Sequence, residues 1–178
     1  EVMLYGRVVT GYLPGTTNGT DAAGLVARPP VKADGLTNYE MGLKSEFLDR
    51  RGMVDLTVFY IDWKDIQLTF QDPSGWYLIN GGRALSRGVE LASAYSPLHT
   101  LRFGYNAAYT QSEYTELAPN GGNMLTGYQL PQVPKWSMSF TADYDWALTG
   151  LWHAHVGGAW RWIGPLWTEL VASRSLGG

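Results

Sequence analysis

His153 and His155 stand two residues apart in "WHAHVGGAWRW" (152–162), and Asp143 and Asp145 stand two apart in "WSMSFTADYDW" (136–146). Residues at i and i+2 of an extended strand share a face, so each pair points one way. Two imidazoles and two carboxylates on neighbouring strands are suitable residue types for a divalent metal, and paired carboxylates are suitable for acid–base work. A register that aligns Trp146 with Trp152 puts Asp145 opposite His153 and Asp143 opposite His155; the apolar faces also align after a two-residue slip. A metal would need fixed neighbours and a further ligand at close range. Cross-strand Cβ atoms lie roughly 4.5–5.5 Å apart, so a solvated Asp–His ladder accounts for the pattern without one. That ladder is the expected reading.

Asp62 and Asp65 of "IDWKDIQ" are a second carboxylate pair, expected in a lumen or near an outer rim and balanced by Lys64 or Arg83. Catalysis would require an enclosed pocket that separates their pKa values, and nothing in the sequence supplies it. The segment "GGRALSRG" (81–88) lacks the Gly-Lys-Ser/Thr ending and the following helix of a phosphate loop. No catalytic, cofactor-binding or metal residue is therefore assigned, no cofactor is expected, and the chain reads as a non-enzyme.

The elements that carry these residues are strands. Period-two alternation runs through most of the 178 residues, and helical periodicity is nearly absent. "LRFGYNAAYT" sets Leu101, Phe103, Tyr105, Ala107 and Tyr109 against Arg102, Gly104, Asn106, Ala108 and Thr110. "YEMGLKSEF" sets Tyr39, Met41, Leu43 and Phe47 against Glu40, Lys44 and Glu46. In the two C-terminal stretches Trp136, Phe140, Tyr144, Trp146, Trp152, Trp160 and Trp162 share the apolar side, and the histidines and aspartates share the other. Seven strands are predicted, over 2–12, 38–48, 52–70, 76–95, 100–115, 133–146 and 152–163, with Gly81 and Gly82 marking a bulge or kink in the fourth. Most exceed the roughly 5–6 residues of ordinary strands and reach the roughly 9–11 needed to cross a bilayer at a tilt.

Composition agrees with a membrane wall. Charged residues are 16% and aromatics 13%, with 8 Trp and 11 Tyr. That leaves little charge to solvate an exterior, against roughly 25% charged residues in soluble domains. The net charge of −3 offers no basic surface for nucleic acid. Without cysteine there is no disulfide, thiolate metal site or thiol nucleophile. The connections 49–52, 96–100 and 147–151 are short, whereas 13–37 and 116–132 are long and rich in Gly, Pro, Thr and Asn. Because direction flips at each strand, the short turns fall at one end and the longer loops at the other, as in outer-membrane barrels. The aromatic side is then expected to face lipid and the ladder Asp143, Asp145, His153 and His155 to face a polar lumen. In the long loops Tyr114, Asn123, Met124 and Tyr128 are candidate ligand contacts. Glu1 opens in strand-like sequence without a leader and the chain stops at "SRSLGG", so a piece of a longer protein is expected.

Three stretches, in order, resemble one known family: "NYEMGLKSEFLDRRGMVDLTVFYIDWKDIQ", "INGGRALSRGVELASAYSP" and "LPQVPKWSMSFTADY". With "MLYGRVVTGYLPG" they are similar to the C-terminal barrel of TonB-dependent outer-membrane receptors, over roughly residues 2–163. The resemblance implies an all-β fold: an antiparallel meander of about seven long strands within a plugged transmembrane barrel of about 22. Residues 1–178 would be a partial barrel domain, with the plug and the N-terminal strands outside it. It further implies active uptake of a scarce ligand, by default a ferric siderophore, across a bacterial outer membrane. The implied partners are outer-membrane lipid, the ligand, and the TonB complex acting through the plug; no nucleic acid is implied, and the barrel would be monomeric. Two other readings stay open. A passive porin-like or small structural barrel would close these strands by themselves. A soluble β-sheet binding module would bury the Trp-rich faces between two sheets.

Overall fold

Alternation becomes one sheet. The computed structural model describes residues 1–20, 24, 27–116 and 127–168, and their strands are β1 (Val2–Leu13), β2 (Asp34–Phe47), β3 (Gly52–Lys64), β4 (Gln67–Asp72), β5 (Gly75–Asn80), β6 (Arg83–Leu98), β7 (Leu101–Glu116), β8 (Trp136–Ala147) and β9 (His153–Ile163). Seven of them form a single antiparallel sheet in the order β1-β2-β3-β6-β7-β8-β9, and β4 and β5 form a separate hairpin. Strands of the large sheet run 11 to 16 residues, long enough to cross a bilayer at a tilt. No described helix is long and apolar enough to cross a membrane.

The predicted third strand stops at 64 instead of 70, and the predicted fourth, 76–95, divides into β5 and β6 at the expected Gly81–Gly82 kink. β3 ends at Lys64 because Asp65 takes a left-handed φ of 53°, and β6 begins after Gly82, whose φ is 88°. The chain between them turns off the sheet as the β4–β5 hairpin. Alternation persists on both sides of these two residues, so periodicity alone does not reveal the break. The hairpin is anchored to the sheet by the Ile66 N–H donating to the Gly82 carbonyl (3.2 Å) and the Gly81 N–H donating to the Ile66 carbonyl (2.5 Å).

The β8–β9 register also differs from the one that aligns Trp146 with Trp152. Trp146 stands opposite Ala154, Asp145 opposite His155, Asp143 opposite Gly157 and His153 opposite Ala147. This is the two-residue slip, which keeps both faces aligned while changing every pair. Trp152 remains in the turn, where its N–H reaches the Thr149 carbonyl (3.4 Å) and its carbonyl accepts from the Leu148 N–H (3.0 Å).

Among the described residues no second layer covers the aromatic face, and β1 and β9 are free edges. Trp136, Phe140 and Trp160 remain 41–55% exposed on it. The sandwich alternative required those side chains to be buried between two sheets. A closed barrel of these strands alone would have paired β1 with β9. The small core instead sits at the long-loop end. Ile66 and Leu68 pack on Ala84, Tyr114 and Leu130, with Trp63, Ile79, Tyr128 and Val133 around them.

Candidate functional site

Strand pairing sorts the side chains onto two faces. Tyr39 and Met41 on β2, Val58 and Tyr60 on β3, Val89 and Leu91 on β6, and Tyr105 and Tyr109 on β7 fall on one face with the β8 and β9 aromatics. Rings cluster along it: Tyr39–Tyr60 centroids are 6.4 Å apart, Tyr109–Trp136 4.8 Å, Phe103–Phe140 6.0 Å and Tyr144–Trp146 5.4 Å.

The opposite face is polar, and its groups are paired across strands. Arg7 Nε donates to Glu40 (2.9 Å), which also accepts from Asn38 Nδ2 (2.6 Å). Lys44 Nζ lies 2.9 Å from Asp55. The Tyr5 hydroxyl bonds the Thr57 hydroxyl at 2.7 Å, crossing over Gly42. That crossing depends on glycine, because a Cβ at position 42 would lie 2.3 Å from the Tyr5 ring. Toward β9 the side chains shrink to Ala92, Ala108, Ser137 and Ser139, leaving a trough of about 520 Å³ bordered by Asp55, Thr57 and Glu90 on one side and Arg161 on the other. Among the described residues Glu90 and Arg161 have no ion-pair partner. The trough can seat a polar or zwitterionic surface.

At the short-turn end His155 sits between two carboxylates, with Nδ1 2.9 Å from Asp145 and Nε2 3.6 Å from Asp143. Gly157 makes room for this, since a Cβ there would lie 2.6 Å from Asp143 Oδ1. The structure thus brings together His155, Asp143 and Asp145, and sets His153 opposite Ala147. No described group of three or more His, Cys, Asp or Glu is arranged to hold a metal ion. Asp62 and Asp65 separate. Asp62 takes a fork from Arg83, with Nε at 2.6 Å and Nη2 at 2.7 Å, and lies 3.4 Å from Lys64. Asp65 is the left-handed residue that ends β3.

At the long-loop end three amides join separate loops. Asn18 donates to the Pro29 and Leu78 carbonyls (both 2.8 Å) and accepts from the Leu78 N–H (3.0 Å). Asn80 accepts from the Lys32 N–H and donates to the Lys32 and Asp65 carbonyls. Gln67 reaches the Leu13, Pro14 and Lys32 carbonyls. Arg28 lies 3.9 Å over the Tyr77 ring. The β1–β2 loop and the β4–β5 hairpin therefore form one interlocked cap. Sequence reasoning missed these amides, although each sits in the turn-rich segments that such groups commonly organise.

Of the candidate ligand contacts, Tyr114 is 6% exposed inside the apolar cluster and supports the cap instead of presenting itself to a ligand. Its N–H donates to the Tyr128 carbonyl (2.9 Å), and Tyr128 packs half-buried against the same cluster. Tyr114 lies within the predicted strand 100–115, and β7 continues past it to Glu116, so its side chain belongs to the sheet and not to the loop that follows. Asn123 and Met124 lie outside the described residues.

With this geometry in view, the chain can be compared with known proteins. Residues 1–176 match the family model for the TonB dependent receptor-like β-barrel. The chain is 33% identical over 134 residues to the pesticin receptor of Yersinia enterocolitica, covering 75% of this chain and 19% of that protein. It is 30% identical over 164 residues to the metal-pseudopaline receptor CntO of Pseudomonas aeruginosa, covering 92% of this chain and 22% of that protein. The crystal structure of the ferric yersiniabactin uptake receptor FyuA from Yersinia pestis superposes with a TM-score of 0.76 at 27% identity, covering 95% of this chain and 24% of that one. The chain thus spans about a fifth of the length of the curated relatives it matches. The family consists of receptors and transporters. An unbacked meander of long strands, an aromatic face, a polar face and this match have one explanation: the chain belongs to the TonB-dependent receptor β-barrel family of the bacterial outer membrane.

Proposed function

We propose that this chain is part of the wall and outer mouth of a TonB-dependent transporter that takes up a chelated metal, by default a ferric siderophore. Seven strands would form about a third of a barrel of about 22, with plug and remaining strands supplied by the rest of the receptor. Trp136, Phe140, Tyr144, Trp146, Trp160 and Trp162 would meet lipid, and Trp152 would sit in the periplasmic turn. Asp143, Asp145, His153 and His155 would line the lumen at its periplasmic end. The interlocked cap of Asn18, Gln67 and Asn80 would form a fixed segment of the external mouth. The receptor would work as a monomeric barrel, with TonB acting through the plug.

The observation that carries this reading is the family match over nearly the whole chain, joined to a face of paired charges that lipid would not tolerate. Two of the relatives support the ligand class, since their names specify metal-pseudopaline and ferric yersiniabactin. The test is uptake of a panel of radiolabelled ferric and other metal chelates in cells with and without the intact receptor, each with and without functional TonB. Deletion is expected to abolish uptake of one chelate to the level of the TonB-deficient strain, and the full-length gene to restore it. Uptake that persists without TonB would instead support a passive pore, and a panel with no affected chelate would remove the ligand class.

A further inference from the structure

On the aromatic face of β6, Arg87 is the first charged residue beyond the apolar span, and Asp62 and Glu113 follow on the same face opposite Leu85. Arg87 follows Val89 and Leu91 toward the long-loop end of β6 and is exposed. Its cross-strand neighbours are Tyr60 on β3 and Gln111 on β7, and Tyr60 in turn stands opposite Tyr39. One step toward the short turns lies the row Val58, Val89, Tyr109 and Trp136. Arg87 therefore stands within the ring of aromatics at the long-loop end. Such rings mark the level where hydrocarbon gives way to headgroups.

The carboxylates nearest to Arg87 on the same face, Asp62 and Glu113, stand opposite Leu85, one diagonal step away, and neither forms an ion pair with it. Arg87 Nη2 contacts Gln111 Oε1 at 3.3 Å, and among the described residues it makes no ion pair. The neighbouring cations are different: Arg83 is held by Asp62 and Glu116, and Lys64 by Asp62. A guanidinium has five N–H donors, and most of those on Arg87 are left for a partner. At this height the available partner is a headgroup, and a planar fork favours phosphate oxygens over sugar hydroxyls.

We propose that Arg87, flanked by Tyr60 and Gln111, binds the phosphate of a phosphorylated lipid headgroup in the outer leaflet. This rests on the reading that the aromatic face meets lipid. Gln111 holds the guanidinium over the sheet, and the tyrosines seat the upper acyl chain beside it.

The test uses the full-length receptor, purified in mild detergent and stripped of lipid. Native mass spectrometry follows binding of bisphosphorylated lipid A and of the same lipid after phosphatase treatment. Arg87→Gln is expected to weaken binding of the phosphorylated lipid roughly fivefold, the usual effect of one basic residue at a charged membrane surface. Arg87→Lys is expected to recover most of the affinity. Arg50→Gln, which removes an exposed cation from the opposite end, is expected to leave it unchanged. Excess inorganic phosphate is expected not to displace the lipid, and displacement would assign the site to free phosphate and overturn the proposal. Equal binding to wild type and Arg87→Gln, or of treated and untreated lipid, would overturn it too. Membrane fractionation of both forms separates the two levels. A receptor in the outer membrane whose affinity ignores Arg87 refutes the phosphate site alone, whereas failure to fractionate there refutes the lipid-facing reading and the site together.

Discussion

Replacing Ile66 with alanine should release the β4–β5 hairpin without opening the sheet. Ile66 is 2% exposed and sits at the joint between hairpin and sheet, where its N–H and carbonyl make the two anchoring bonds to Gly82 and Gly81. Its side chain packs with Leu68, Ala84, Tyr114 and Leu130. The substitution removes three carbons, worth about 2.4 kcal/mol at about 0.8 kcal/mol per methylene. The void left behind adds to this, within the roughly 2–5 kcal/mol range for such truncations. At about 1.4 kcal/mol per factor of ten, opening of the hairpin becomes at least roughly fiftyfold more frequent. Hydrogen exchange by mass spectrometry on the full-length receptor in detergent reads this directly, because exchange of the 66–81 amides tracks local opening. Trp76→Ala is the control, since Trp76 is 67% exposed at the hairpin tip and its loss should change exchange by less than about threefold. The reasoning is refuted if Ile66→Ala leaves exchange in 66–81 near wild type, or if Trp76→Ala accelerates it equally. The first result would mean that the amide contacts of Asn18 and Asn80, and not the apolar cluster, hold the hairpin, and the second that the loss is not specific to the cluster.

Two other substitutions test the faces of the wall. Gly42→Ala places a Cβ 2.3 Å from the Tyr5 ring, so Tyr5 must swing away and lose Thr57, at a cost of about 1–3 kcal/mol. The temperature at which the folded barrel loses its fast gel migration should fall, and adding Tyr5→Ala should remove most of that penalty; strictly additive losses would show that the two residues do not compete for space. Phe140→Arg, on the aromatic face, should destabilise the barrel in lipid vesicles by about 2–4 kcal/mol, whereas Ser137→Arg, on the trough face near Glu90, should change stability by less than about 1 kcal/mol. Similar urea midpoints for the two would contradict the assignment of lipid and lumen.

Much of the sheet was legible in the chain because the information is local. Alternation such as Trp136, Met138, Phe140 against Ser137, Ser139, Thr141 follows from the two-residue period of a strand, which every residue reports for itself. Short turns over 49–52 and 96–100 against long connections over 13–37 and 116–132 likewise follow from spacing, and the ordered motifs from "NYEMGLKSEF" to "LPQVPKWSMSF" pointed to the family. What the sequence left open is non-local. Period two is unchanged by a slip of two, so the chain cannot say whether Asp145 meets His153 or His155; the β8–β9 turn decides it. The left-handed turn at Asp65 leaves the alternation intact, so only the folded chain shows that the strand leaves the sheet there. The role of Tyr114 depends on residues 46 to 48 positions upstream, Leu68 and Ile66, folding back over it. The union of loop and hairpin depends on Asn18 finding Leu78, 60 residues away. A side chain's face is set by its neighbours in the chain, but its partner is set by which distant segments the fold brings alongside, and that is where the wall acquires its cap and its trough.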